Sequence, residues 1–126
     1  MRAVDTNLLI RLLVRDDLQQ VNLAEKFIEN GAWVSHLVLA ETLWVLDAVY
    51  ERTSKQIASA VEFLLEHHSL ALQDPDVVAS ALSQFVEHPS PGFSDCLVLE
   101  IARKAGHVPL GTFDRRLSKL DGVQRL

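Results

Sequence analysis

Short apolar runs alternate with longer stretches that carry apolar residues at helical spacing. The spacing predicts helices over NLLIRLLV, LQQVNLAEKFIEN, residues 36–50, residues 54–66, a segment opened by Asp74-Pro75, and SDCLVLEIARKAG. Strands are predicted at RAV, AWVS, SLAL, HVPLGT and GVQRL, with a short helix, RRLSKL, before the last strand. Because strands and helices alternate, the pattern predicts an α/β fold with a mainly parallel sheet and helices on both faces.

The length and composition predict an ordinary globular chain. At 126 residues and 14.1 kDa we expect one domain over residues 1–126. No apolar run is long enough to span a bilayer, and the lone Cys96 cannot form an intramolecular disulfide, so we expect a cytoplasmic protein and a small buried thiol. The net charge of −5 argues against a protein that holds nucleic acid by bulk electrostatics.

Four carboxylates lie in or directly beside apolar runs. They are Asp5, Glu41, Asp95 and Asp114. No Lys or Arg is an evident local partner for the first three, and an unpaired carboxylate is costly to withdraw from water. Asp5 and Asp114 directly follow predicted strands, and in open α/β sheets ligands bind beyond the carboxyl ends of the strands. If the fold gathers all four acids, the missing partner is a cation such as Mg²⁺ or Mn²⁺.

Each acid also has a simpler explanation. Asp5 and Asp114 are suited to cap the helices that follow them, and Asp95 suits the dipole at the start of its helix. Glu41 has no capping role in the middle of a helix, so either its flank is open to solvent or its side chain points into a polar pocket. The residues alone leave a metal site and separate structural roles as equal alternatives.

A cluster of acids around Mg²⁺ would favour metal-assisted hydrolysis of a phosphoester. Other chemistries have less support in the sequence. The five histidines lack the paired spacing of a zinc site, and no glycine-rich phosphate loop occurs. Ser94 has neither a nucleophile elbow nor a partnered histidine, so an acyl-transfer enzyme is not supported.

Four strings in order resemble the PIN domain, and more narrowly the VapC-type toxins of prokaryotic toxin–antitoxin pairs. They are VDTNLLIRLL, LVLAETLWVL, FSDCLVLEIARKAG and LGTFDRRLSKL, and the resemblance covers essentially the whole chain. It implies a three-layer α/β/α sandwich around a central five-stranded parallel sheet. It also implies an endoribonuclease that hydrolyses RNA phosphodiester bonds with a metal-activated water, leaving a 5′-phosphate and a 3′-hydroxyl.

The resemblance assigns roles to particular residues. The catalytic, metal-ligating acids of the family fall on Asp5, Glu41, Asp95 and Asp114, with Mg²⁺ or Mn²⁺ as the cofactor. Supporting polar roles fall on Asn7, Thr112 and Thr6.

The resemblance also implies two protein partners. These are a second copy of the chain in a homodimer and a small cognate antitoxin that holds the enzyme inactive. Apolar residues on two predicted helices are candidates for such interfaces, with the core of the monomer as the alternative for each: Leu8, Leu12, Trp44, Leu46 and Tyr50.

Three rival functions fit the sequence less well. A non-catalytic PIN-like module that binds RNA or protein is the main one, although this chain keeps all four acids. A phosphoacceptor receiver domain needs paired acids after the first strand, whereas Asp16-Asp17 follow a helix. A haloacid-dehalogenase-type phosphatase needs a second acid where this chain has Asn7.

Overall fold

The protein was analysed as a computed structural model that describes all residues from Met1 to Leu126, and it consists of two compact units. The first unit, Met1–Pro75, contains β1 (Arg2–Ala3), α1 (Thr6–Val14), α2 (Leu18–Ile28), β2 (Ala32–Val34), α3 (His36–Ala48), α4 (Ser54–Glu66) and β3 (Leu70–Leu72). The second unit, Asp76–Leu126, contains α5 (Pro75–Glu87, apart from its first residue), α6 (Phe93–Ala105), β4 (Leu110–Thr112), a 3₁₀ turn (Leu117–Lys119) and β5 (Val123–Arg125).

Side-chain caps explain why several helices begin where they do. Asp17 accepts a hydrogen bond from the Gln20 N–H at the start of α2, and Ser35 caps α3 in the same way. A capping box between Thr53 and Gln56 opens α4. The helix predicted over residues 36–50 ends at Ala48, and the predicted helix RRLSKL is reduced to the three-residue 3₁₀ turn.

The strands form two parallel sheets. In the first unit β2 pairs with both β1 and β3, giving the order β1-β2-β3. In the second unit β4 pairs with β5. The alternating α/β pattern and the parallel pairing are confirmed, whereas the prediction of a single five-stranded central sheet is wrong. Each strand has only two or three residues, and such short runs specify no pairing partner over long sequence separations.

The buried side chains follow the predicted helical stripes. In α2 the inward face is Val21, Ala24 and Ile28, while Phe27 is half-buried under the Arg2 guanidinium, 4.7 Å from the ring centroid. Cys96 in α6 is fully buried, as predicted, and burial raises the pKa of its thiol to about 11. No helix has both the length and the apolar character required to cross a bilayer.

Candidate metal centre

Asp5 lies between β1 and α1, at the carboxyl end of the first strand. Its Oδ1 accepts a hydrogen bond of 3.0 Å from the Leu8 N–H, so the carboxylate caps α1 as the sequence predicts. The residue is exposed and its second oxygen makes no hydrogen bond within the protein. Capping therefore fixes the position of the carboxylate and leaves one oxygen for another ligand.

Glu41 lies in the second turn of α3, the helix that follows β2. It is exposed and makes no hydrogen bond or ion pair. Leu37 and Trp44, one turn before and one turn after it, are 78% and 63% exposed. Of the two alternatives for Glu41, the structure shows the solvent-open flank and not a buried polar pocket.

Asp5, Glu41 and Asp114 are not withdrawn from water, so the desolvation argument for a cation does not apply to them. All three are exposed, and only Asp95 is half-buried. Around Glu41, the apolar side chains on its own flank, Leu37 and Trp44, are exposed, whereas Leu43 on another face of α3 is buried. Asp5, Glu41 and Asp114 therefore lie at the surface of their own units.

Asp114 follows β4 and is held by hydrogen bonds with three nearby residues. Its Oδ1 accepts hydrogen bonds from the N–H groups of Arg116 (2.8 Å) and Leu117 (2.9 Å), and its own N–H donates to Thr112 Oγ1 at 3.0 Å. The hydrogen bond from Leu117, reinforced by the backbone and charge of Arg116, lowers the pKa of Asp114. The carboxylate thus stays ionised and fixed in orientation.

Asp95 occupies the first turn of α6, as predicted, and makes no hydrogen bond or ion pair. Burial, followed by the negative charge of Asp114, raises the pKa of Asp95, and the positive charge of Arg116 opposes this. The two acids of the second unit are therefore close enough to repel each other. Mutually repelling carboxylates offer the hard oxygen donors that Mg²⁺ and Mn²⁺ prefer, so this pair fits a divalent cation.

The remaining site candidates make fewer contacts with the four acids. Within neither unit do three or more His, Cys, Asp or Glu side chains form a group that could hold a metal ion. Thr112 contacts the backbone of Asp114, as described above. Asn7 is exposed on the first turn of α1, and Thr6, the first residue of that helix, is buried.

The turn after β4 carries Phe113, which was not among the site residues predicted from the sequence. Phe113, directly before Asp114, is 80% exposed, and Arg115 and Arg116 after it are also exposed. An aromatic residue between two polar site candidates in the string TFDRR is the signal that could have identified it. The charge of Arg116 acts on both Asp95 and Asp114, which ties this turn to the acid pair.

A second feature of the first unit is a cavity of about 490 Å³. Its lining is mainly apolar, with Arg15 and Arg52 among its polar residues; the other lining residues are Leu12, Leu13, Leu46, Gln56, Ser59, Ala60 and Phe63. Among the candidate interface residues, Leu12 and Leu46 are buried core residues, whereas Trp44 is exposed. Tyr50 is half-buried and its hydroxyl accepts a hydrogen bond of 2.9 Å from Arg11.

Comparison with known proteins gives one family. The sequence model described as the PIN domain matches residues 2–123, a range that spans both units. Neither a curated protein nor a solved structure matches the chain.

Proposed function

The chain belongs to the PIN domain family, which is generally a nuclease fold, and from this premise we propose that it is an endoribonuclease dependent on Mg²⁺ or Mn²⁺. The observation that carries the proposal is the pair Asp95 and Asp114. One carboxylate is pinned and ionised, and the other has a raised pKa because of burial and the neighbouring charge. Repulsion between two carboxylates lowers the stability of the folded chain, and a bound cation would relieve it.

The proposal assigns metal binding to Asp5, Glu41, Asp95 and Asp114. A bound divalent ion would polarise the scissile phosphate and favour deprotonation of the attacking water. Thr112 fixes the backbone of Asp114, the N–H groups of Arg116 and Leu117 hold its carboxylate, and capping of α1 holds the carboxylate of Asp5. These contacts spare the site the cost of ordering the acids when substrate arrives.

Arg116 is suited to bind a substrate phosphate because it is exposed and its charge already acts on both Asp95 and Asp114. Attack of water on the phosphorus would break the bond to the 3′ oxygen, leaving a 5′-phosphate and a 3′-hydroxyl. The proton released by the attacking water would pass to solvent or to a nearby carboxylate, and the departing 3′ oxygen would take up a proton from solvent water.

Purified protein is expected to cleave RNA when Mg²⁺ or Mn²⁺ is present and to lose that activity when EDTA is added. The physical reason is that the carboxylates and the reacting phosphate are all negatively charged, so they repel each other unless a cation lies between them. Gel analysis of RNA products, with restoration of cleavage by excess Mg²⁺ as the control, measures this. Cleavage that survives EDTA would contradict the proposal, and RNA binding without cleavage would instead support a non-catalytic PIN-like module.

We further propose that the protein is the toxin of a type II toxin–antitoxin pair of the VapC type, acting in the cytoplasm. The cavity of the first unit supports an antitoxin partner because its apolar lining, with Arg15 and Arg52, suits a peptide with both apolar and acidic residues. The exposed Leu37 and Trp44 on α3 offer apolar area for a homodimer.

Light scattering at micromolar concentration is expected to give twice the chain mass of 14.1 kDa. Trp44→Glu should shift the mass toward that of one chain, because a charge would then have to be desolvated in the interface. Val86→Ala, a change at another exposed apolar residue, serves as the control. A single-chain mass for the unsubstituted protein would remove the homodimer from the proposal.

A further inference from the structure

The turn that carries Asp114 presents an aromatic ring to solvent. Phe113 is 80% exposed, the most exposed aromatic residue among the large hydrophobic residues of the chain. It neither packs in the core nor pairs with another ring or cation. An aromatic ring held in water without a contact loses the stabilisation that burial of its faces would provide.

The backbone around Phe113 is well fixed. Thr112 belongs to β4 and accepts the hydrogen bond from the Asp114 N–H, while the Asp114 carboxylate accepts the two N–H bonds that begin the next turn. Residues on both sides of Phe113 are therefore held, and the ring is presented from an ordered segment. A preorganised aromatic residue loses little conformational entropy when a ligand stacks on it.

Charged residues directly follow Phe113 in the sequence and indicate which kind of ligand its ring would bind. Arg115 and Arg116 follow the acid at exposed positions, and the charge of Arg116 reaches both Asp95 and Asp114. These groups match the parts of one nucleotide. The aromatic face suits a base, the arginine side chains suit a phosphate, and the carboxylate pair suits a divalent ion at the reacting phosphodiester.

We propose that Phe113 is a substrate-binding residue on which one unpaired base of an RNA strand stacks next to the scissile phosphate. The inference rests on the proposed nuclease function and names the class of substrate that the site takes. A base within a duplex has both faces covered by its neighbours, so only a single strand, loop or bulge can use the Phe113 ring. Phe113 therefore selects unpaired RNA over duplex RNA.

The test uses a short single-stranded oligouridylate that carries one 2-aminopurine, whose fluorescence is quenched by stacking. Binding is measured in EDTA, so that cleavage does not contribute. Phe113→Leu is expected to weaken binding of the single strand by roughly fivefold or more and to remove the quenching. Phe113→Tyr keeps the aromatic face and should retain both. The matching duplex should bind the unsubstituted protein and Phe113→Leu equally.

Val86→Ala, at another exposed apolar position of the second unit, is the control and should bind like the unsubstituted protein. Equal binding and quenching by Phe113→Leu and the unsubstituted protein would overturn the inference, as would an equal loss of duplex binding. Because these measurements need no cleavage, they separate the two proposals. Quenching that depends on Phe113, in a protein that never cuts RNA, would support stacking and contradict the nuclease function.

Discussion

Asp95→Asn is expected to abolish RNA cleavage while the protein becomes more stable to unfolding at neutral pH. Removal of a charged group that acts on the reacting centre costs on the order of a hundredfold or more in rate. Stability rises because the folded state raises the pKa of Asp95, so that its ionisation at neutral pH opposes folding. The gain should disappear in acid below the ordinary pKa of an aspartate, where the carboxyl is protonated whether the chain is folded or unfolded.

Urea unfolding at several pH values and a cleavage assay measure the two effects in parallel. Asp121→Asn is the matched control, since it removes an exposed carboxylate of the same unit that lies outside the proposed site. It should change neither quantity appreciably. Expression in growing cells adds a third measurement, because a toxin should arrest growth and its Asp95→Asn variant should not. Cleavage by Asp95→Asn at the unsubstituted rate would remove Asp95 from the site.

Substitutions of Asp5 should separate its cap from its charge. Asp5→Asn is expected to abolish cleavage with little loss of stability, because asparagine caps helices about as well as aspartate does. Asp5→Ala is expected to abolish cleavage and also to lower the free energy of unfolding by about 1 kcal/mol. Cleavage assays and denaturant unfolding of the two variants measure these outcomes.

The chain supplies a matched control in Asp17, which caps α2 by accepting a hydrogen bond of 3.1 Å from the Gln20 N–H. Asp17→Ala should cost a similar free energy of unfolding and leave cleavage unchanged. If Asp5→Asn cut RNA normally while Asp5→Ala only unfolded more easily, then Asp5 would be a cap and nothing more.

Local sequence signals predicted the positions of the acids well. Asp5 precedes an apolar helical stripe and caps α1, and Asp95 falls in the first turn of α6. Gly106, with a φ of 84°, ends α6 in the left-handed conformation expected after a helical run. Caps, helix dipoles and helix ends depend on residues a few positions apart, so one sequence contains the information that determines them.

Strand pairing and the exposure of helix faces could not be predicted from local sequence signals. The strand predictions at AWVS and SLAL match β2 and β3, yet no pattern in them says which strands share hydrogen bonds. The sequence also did not decide whether Glu41 is exposed, because its apolar neighbours do not indicate which face of α3 packs against the rest of the unit. Leu37 and Trp44 prove to be exposed with it. Pairing and coverage depend on contacts between distant segments, which a pattern along the chain does not record.

The exposed ring of Phe113 shows a further limit. Aromatic residues usually serve the core, so a single phenylalanine in TFDRR is read most simply as packing. The structure shows that the Phe113 side chain is exposed to solvent, and that the acid next to it in sequence is held by hydrogen bonds. The four acids are site candidates from the sequence alone, whereas the residue proposed to contact the base became a candidate only with the structure.

The capping bonds of Asp5 and Asp114 change how an evolutionary record of this chain should be interpreted. Asp5 caps α1, and Asp114 accepts two backbone N–H bonds before the 3₁₀ turn, so selection for stability alone would retain an acid or a similar acceptor at both positions even in a lineage without nuclease activity. Glu41 and Asp95 accept no hydrogen bond from a helix start, and the raised pKa of Asp95 means that its ionisation opposes folding despite its place in the first turn of α6. Their loss or persistence among descendants of a common ancestor is therefore the better historical marker of nuclease activity.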